Sequence, residues 1–369
     1  MTQPSRERRD TRRTAPTKPR SARFKGGARA AVAMRELLRS SSFGVGEIDF
    51  SVVIPAHNRP RRLIECLAAI SMLAYPVTRY EVIVVDDGSD ESMEPAVAPF
   101  LGRMNIALLR QSHSGPARAR NAGAAAARGK YVAFTDDDCR PDPGWLAALA
   151  KSVAANPGCA VGGQTINGLP ENLFSTASQL LLQYLYRHWN RDEDDAFFIA
   201  SNNLVFPRER FIEMKGFDIR FPLAAAEDRE LCDRWRWQDG RIVYAPDAII
   251  HHFHTLNLKT FLAQHFNYGR GALIFHEIKR QRAEKSVPSD GVSFYWNMPG
   301  YLFAHDHGVR SVAVAMLIGL SQIVLPLGYL RQWYLRSQKL ARQQDVIDHG
   351  DGAPIQLVAP GKQTARSRR

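Results

Sequence analysis

Cysteine is scarce in this chain. Its four cysteines, Cys66, Cys139, Cys159 and Cys232, form no C-x-x-C pair and follow no regular spacing. That argues against a zinc module and for a reducing compartment. A phosphate-cradling G-x-x-x-x-G-K-[ST] loop is absent, and no G-x-G-x-x-G follows the first predicted strand. A P-loop and a dinucleotide fold of the usual kind are therefore not expected. There is no internal repeat. The Arg-, Ser-, Thr- and Pro-rich start holds no apolar stretch long enough for a secretory signal peptide, and it reads as a disordered tail rather than an organelle transit peptide.

A basic body is missing too, although the net charge is +12. Residues 1–40 account for +9 and residues 361–369 for +4, which leaves −1 for the rest. Basic tails suit anionic partners, and lipid headgroups serve as well as nucleic acid. With the body near neutral, nucleic acid is not the expected partner. What the chain does have is apolar material: 45% of its 369 residues are hydrophobic, enough for a sizeable core.

The ordered part is expected to begin near Ile48. "FSVVIPAHN" is a β-branched run, and "RPRRLIECLAAISML" places Leu63, Cys66, Leu67 and Ile70 at helical spacing. "YEVIVVDDGS" gives a second strand over 82–85, a helix is expected over 91–101, and "NIALLRQ" is a weaker third strand. The Ala-rich "GPARARNAGAAAARG" reads as a helix stopped by Gly129, and "KYVAFTDDD" as a fourth strand. Strands apolar on both faces that alternate with helices predict a mostly parallel α/β sheet covered by helices.

Ligands bind beyond the carboxyl ends of such strands. Three strand ends then converge there: Ala56-His57-Asn58, Asp86-Asp87-Gly88-Ser89, and Asp136-Asp137-Asp138. Three adjacent carboxylates repel one another unless a cation sits among them. In extended backbone Asp136 and Asp138 share a face and Asp137 turns away. Two hard oxygen ligands suit Mg²⁺ or Mn²⁺. A calcium EF-hand fails, because counting from Asp136 puts Pro141 and Ala147 where Gly and Glu are required.

The series "SVVIPAHNR", "YEVIVVDDGS", "GPARARNAG" and "YVAFTDDDCRPDPGWL" resembles the family 2 glycosyltransferases in order and spacing. The likeness is strong over 50–150 and extends to about His252. It implies a GT-A fold (a Rossmann-like, mostly parallel sheet with helices on both faces), a nucleotide-sugar donor, a divalent metal and inverting transfer. By the same resemblance, Asp87 pairs with the base, and Pro55, Ala56, His57 and Asn58 line the nucleotide pocket, the His57 ring stacking on the base. Arg120 and Asn121 lie near the nucleotide. Asp136 faces the ribose, and Asp138 the metal.

An inverting transfer needs a base for the acceptor proton. Glu227 and Asp228 of "EDRELCDRWRWQ" stand at a predicted helix start, where acids also serve as caps. The family's Glu-Asp motif makes Asp228 the base. In "HHFH", His252 and His254 share a strand face, and the resemblance makes His252 a candidate metal ligand. Trp235 and Trp237 read as core and surface residues of one helix. Asn202 and Asn203 fit either sugar hydroxyls or a buried turn.

Processive family members carry Q-x-x-R-W after the base. Here Gln264 and Tyr268 remain, but Asn267 replaces the Arg, with Arg270 nearby to replace its charge in part. Single transfer is therefore expected over polymer synthesis. Residues 311–330 carry no formal charge and are long enough to span a bilayer; Gln322 and Pro326 count against spanning, and the alternative is a surface-lying hairpin or a buried helical pair. The resulting organisation is a basic disordered tail over 1–45, a catalytic domain over 48–255, a helical extension over 256–308, a transmembrane or membrane-associated segment over 309–336, and a second basic disordered tail over 337–369. The expected activity moves one sugar to a lipid-linked or other cell-envelope glycan acceptor at the cytoplasmic membrane face. A nucleotidyltransferase would want a glycine-rich basic loop early in the first helix, and "AHNRPRR" has no glycine. A non-catalytic relative would be expected to lose one of the acidic motifs.

Overall fold

The computed structural model describes residues 34–41, 46–282, 297–298, 300–301 and 309–350. The N-terminal half alternates as expected. Strand β1 (Arg35–Arg39) precedes β2 (Phe50–Ala56), α1 (Pro60–Ile70), β3 (Tyr80–Asp86), α2 (Glu94–Val97), β4 (Ile106–Arg110), α3 (Pro116–Ala126) and β5 (Tyr131–Phe134). Val52, Val53, Ile54, Val82, Ile83 and Val84 are buried on both faces of the sheet. Helix α1 turns Leu63, Cys66, Leu67 and Ile70 inward, the four positions its periodicity selects.

The second half adds β6 (Cys139–Pro141), α4 (Trp145–Ala155), β7 (Ala160–Asn167), α5 (Leu173–Trp189), β8 (Leu204–Pro207), α6 (Arg208–Glu213), α7 (Glu227–Trp237), β9 (Ile242–His252) and α8 (Leu258–Gln281). All nine strands form one sheet in the order β1-β4-β3-β2-β5-β8-β7-β9-β6. Strands β4, β3, β2 and β5 are mutually parallel, and so are β7 and β9, while β1, β6 and β8 pair antiparallel. The sheet is thus mixed, with its parallel part where the strand–helix alternation lies. Trp235 is buried and Trp237 exposed on α7, as expected.

Several boundaries differ from the sequence reading. Arg35–Arg39 is an edge strand on β4 inside the stretch read as tail; its charges occupy an edge, which tolerates them. The helix expected over 91–101 is one short turn of α2 and a 3₁₀ turn, Ala98–Phe100, with prolines at Pro95 and Pro99. Gly129 is not a left-handed helix stop. Helix α3 ends at Ala126, and a Cβ on Gly129 would lie 2.6 Å from the Ser51 nitrogen, so close backbone approach is what requires glycine there. The outer parts of both tails lie outside the described residues.

The last helix, α9 (Val309–Gly350), continues into the stretch read as the second tail. It packs along α5 and α8. Ala177, Leu180, Leu181, Tyr184, Phe261, Val314 and Ile318 form a small core between these three helices. Residues Arg310–Gln338 are long and apolar enough to cross a membrane.

Candidate active site

Strands β2, β3 and β5 end at one edge of the sheet. Beyond β2, Asn58 takes a left-handed conformation with φ of 53°. Its amide donates to Asp90 Oδ2 at 2.9 Å and accepts from the Asp90 nitrogen at 2.8 Å. Asn is the kind of residue that tolerates this geometry. His57 Nδ1 lies 3.0 Å from the Asp87 carbonyl oxygen, and its ring stacks on His113 at 4.3 Å between centroids. Pro55 and Ala56 are buried strand residues beneath them.

Asp87 is buried and crowded with donors. Its Oδ1 accepts from Gln111 Nε2 at 2.6 Å and from the Ser114 nitrogen at 2.9 Å. Its Oδ2 accepts from the Gly115 nitrogen at 2.8 Å and lies 3.0 Å from His113 Nδ1. Four donors fill the lone-pair sites of one carboxylate. Asp87 therefore shapes the 111–115 loop, and a base that reaches it takes the place of one donor, with the exposed His113 the most accessible.

The three aspartates do not continue the strand. The Cys139 nitrogen donates to the Asp136 oxygen at 3.0 Å and closes a turn, so the alternation expected of extended backbone is lost. Each carboxylate instead meets an arginine, and Arg59 serves two of them. Asp136 Oδ1 accepts from Arg120 Nη2 at 2.7 Å. Asp137 is fully buried against Arg59 at 2.6 Å, and burial pushes its carboxyl up to about 8. Asp138 Oδ2 accepts from Arg59 at 3.0 Å and Arg62 at 3.1 Å, while His252 Nε2 stands 3.3 Å from Oδ1. Against the upward push of burial, His252 and the two guanidiniums hold Asp138 well below the usual carboxylate range.

Arg120, itself buried, also donates to Glu227 Oε1 at 3.0 Å. The other Glu227 oxygen accepts from the Ala225 nitrogen at 2.6 Å. Burial and the neighbouring Asp228 push the Glu227 carboxyl up to about 7. Ala226, between Ala225 and Glu227, is left-handed with φ of 67°, an uncommon conformation for a residue with a Cβ. Asp228 accepts from the Arg229 nitrogen at 2.8 Å and, across the fold, from the Ser201 nitrogen at 3.3 Å. Burial raises its carboxyl above the ordinary value.

Asp228, Glu227, Asp136, Arg120, His252 and His254 line a cleft of about 810 Å³ that continues between α5, α8 and α9. Gln264 and Tyr268 border it and bond each other at 2.7 Å. Arg270 does not turn toward the cleft; its Nε donates to Gln332 on α9 at 3.1 Å. Asn121 is spent elsewhere as well. Its amide donates to the Phe217 oxygen and accepts from the Phe217 nitrogen, both at 2.8 Å, which makes it a clamp on that turn. His251 pairs with Asp142. Asn203 is a buried turn residue bonded to Trp145 Nε1 and to the Gln164 and Ala248 oxygens, whereas Asn202 borders the cleft.

Residues 51–214 match the family described as Glycosyl transferase family 2. The chain carries a family 2 glycosyltransferase domain. It is 30% identical over 263 residues to the pre-mycofactocin glycosyltransferase of Mycobacterium tuberculosis, which covers 69% of this chain and 53% of that protein. The glycosyltransferase AglE of Haloferax volcanii is 33% identical over 116 residues, 31% of this chain and 38% of its own length. The chain thus spans about half the length, or less, of these curated relatives. The GT-A fold is shared with the mannosyltransferase PcManGT of Pyrobaculum calidifontis, solved with GDP-mannose and Mn²⁺, at a TM-score of 0.51 and 20% identity over 83% of this chain and 89% of that one.

Sequence reasoning about the glycosyltransferase domain missed Arg59, Arg62 and His113. The two arginines had a signal: Arg59 at the N-cap and Arg62 in the first turn of α1 follow the β2 strand end and complement the aspartate run in charge. His113 had none, since only the fold of the 111–115 loop brings it to His57.

Proposed function

We propose that this chain moves one sugar from a nucleotide-sugar donor to a hydroxyl of a lipid-linked or other cell-envelope glycan, with inversion at the anomeric carbon, at the cytoplasmic face of a membrane. The observation that carries the reading is the double contact of Arg120, which joins the donor-side Asp136 to Glu227 and so sets Asp228 in the same cleft. Bases of nucleotides fit the His57–His113 corner, where an exposed ring and the Asp87 carboxylate adjoin. The donor class is also that of the fold neighbour with its bound GDP-mannose.

The residues present fit a divalent cation. Ligand atoms of Asp138, Cys139 and His252 lie within 4.8 Å of one another. The buried Cys139 thiol is a soft ligand of the kind that hard Mn²⁺ and Mg²⁺ do not favour. A carboxylate oxygen and an imidazole nitrogen remain, a donor pair that suits Mn²⁺ or Mg²⁺ with phosphate oxygens completing the set. Asp138 and His252 would hold the ion, with Asp136 alongside. When bound it would neutralise charge on the departing diphosphate.

Asp228 takes the proton of the acceptor hydroxyl as that oxygen bonds to the anomeric carbon. The bond from this carbon to the diphosphate oxygen breaks, and its electron pair leaves with the nucleoside diphosphate. Glu227, with both oxygens engaged, positions Asp228 rather than competing for the proton. Thermal shift of the full chain against UDP-, GDP- and dTDP-sugars, with and without Mn²⁺, tests the reading. Stabilisation by one base class, dependent on Mn²⁺, is expected. No stabilisation by any of them overturns it.

A further inference from the structure

Two features remain beyond the donor cleft: the apolar end of the cavity, and a row of exposed apolar side chains on α9. Besides its acidic groups, the cavity is walled by Leu181, Leu185 and Trp189 of α5, Phe275 of α8, and Leu325 and Tyr329 of α9. The aromatic rings can stack on a sugar, but Leu181, Leu185 and Leu325 offer it no hydrogen bond and suit a hydrocarbon part. On the opposite side of α9, Val312, Met316, Ile323, Leu327, Leu330 and Tyr334 are all exposed, Met316 at 65% and Ile323 at 64%. Their spacings of three, four and seven residues form one face, running about 33 Å at 1.5 Å per residue. An exposed apolar stripe of this length marks a surface that is covered in use.

The structure also shows why α9 does not stand free. A Cβ on Gly269 would lie 1.8 Å from the Leu325 oxygen, and one on Gly328 would lie 1.9 Å from the Phe266 oxygen. Helices α8 and α9 therefore cross at backbone contact. Arg270 bonds Gln332, and Arg336 pairs with Glu277. A helix tied along one face to a charged catalytic body has only its outer face left for hydrocarbon. It can lie in the interface with its outer face among acyl chains. Arg331 on its C-terminal half, and the basic sequence beyond, complement anionic headgroups.

The geometry points to an amphiphilic acceptor drawn from a lipid layer on which the outer face of α9 rests. Its apolar part lies in the cavity between α5, α8 and α9, and its hydroxyl reaches Asp228. This rests on the glycosyltransferase reading above and adds the acceptor class and its route of entry.

The test uses the full chain with vesicles of phosphatidylcholine and phosphatidylglycerol, and a diazirine-bearing dodecyl glucoside as the cavity probe. Wild type floats with the vesicles, and Ile323→Glu with Leu327→Glu lowers its partition coefficient by about tenfold or more, as removing two buried aliphatic side chains requires. Photolabel is expected on α5, α8 and α9 at the cavity. Ala272→Phe, or Leu185→Trp from the other wall, abolishes that label while calorimetric binding of nucleoside diphosphate with Mn²⁺ is retained. Label outside the cavity, label unchanged in both filled variants, or a vesicle-indifferent dimer that covers the α9 face overturns the inference. Cavity labelling without nucleotide binding overturns the donor reading instead and leaves this site standing.

Discussion

Arg120 Nη2 lies 2.7 Å from Asp136 Oδ1, and the same guanidinium holds Glu227 at 3.0 Å. One buried cation thus joins a residue at the end of β5 to one at the start of α7, 91 positions further along the chain. Replacing it with Met leaves two carboxylates without their charge partner. Arg120→Met should lose about 3–5 kcal/mol of stability, the cost of breaking a buried pair on one side. Urea unfolding measures this. A loss within the error of the method would show that the bridge contributes nothing to the fold.

Asp228→Asn separates the base from a merely structural acid. Asn keeps one acceptor oxygen for the Arg229 N–H, gives up the longer contact from the Ser201 nitrogen, and takes no proton. Turnover should fall roughly 10²–10⁴-fold, with donor affinity preserved. Steady-state rates beside calorimetry of the donor decide it. Near-normal turnover would pass the role to another residue.

Glu227 gives the fold a pH dependence. Its folded value, pushed up to about 7, lies above the ordinary 4.5. Between these values the folded protein binds more protons than the unfolded chain, so this group's contribution falls as pH rises from 4.5 through 7. Glu227→Gln should flatten that part of the stability curve. The check is urea midpoints of both proteins across this window; parallel curves would mean Glu227 does not titrate there.

Asp138→Ala should abolish the Mn²⁺ dependence of nucleoside diphosphate binding while the fold survives, since Arg59 and Arg62 retain Asp137 and solvent as partners. Calorimetric titration with and without Mn²⁺ reads this directly. Undiminished Mn²⁺-dependent affinity in the folded variant would place the ion elsewhere.

Much of the donor side was legible because its signals are local. Strand ends in a parallel sheet must converge, so His57, Asp87 and Asp136 could be gathered from the alternation of elements alone. The aspartate run was read as an extended stretch around a metal ion, with no part for protein cations. A turn closed by the Cys139 nitrogen replaces the expected extension, and Arg59, Arg62 and Arg120 supply the charge. Asn121 was placed near the nucleotide by the family likeness of "ARNAG", yet its amide answers to Phe217 from a distant turn. Tertiary pairings of this kind leave no trace in spacing. The outward face of α9 was half legible: its apolarity is plain in composition, but which side meets α8 depends on glycines whose partners only the fold supplies.

Gly269 and Gly271 lie two positions apart and so on nearly opposite sides of α8. One admits α9 at backbone contact; a Cβ on the other would lie 2.2 Å from the Ala225 oxygen, in the loop that launches Asp228. The helix is pressed between the two like a washer. Because α8 also carries Phe275 into the cavity, the helix fixes how far that apolar wall stands from the Asp228 carboxylate. An acceptor whose hydroxyl stands too close to its hydrocarbon cannot reach, and one with a long polar head overshoots. Selection among amphiphiles would follow head length before sugar identity.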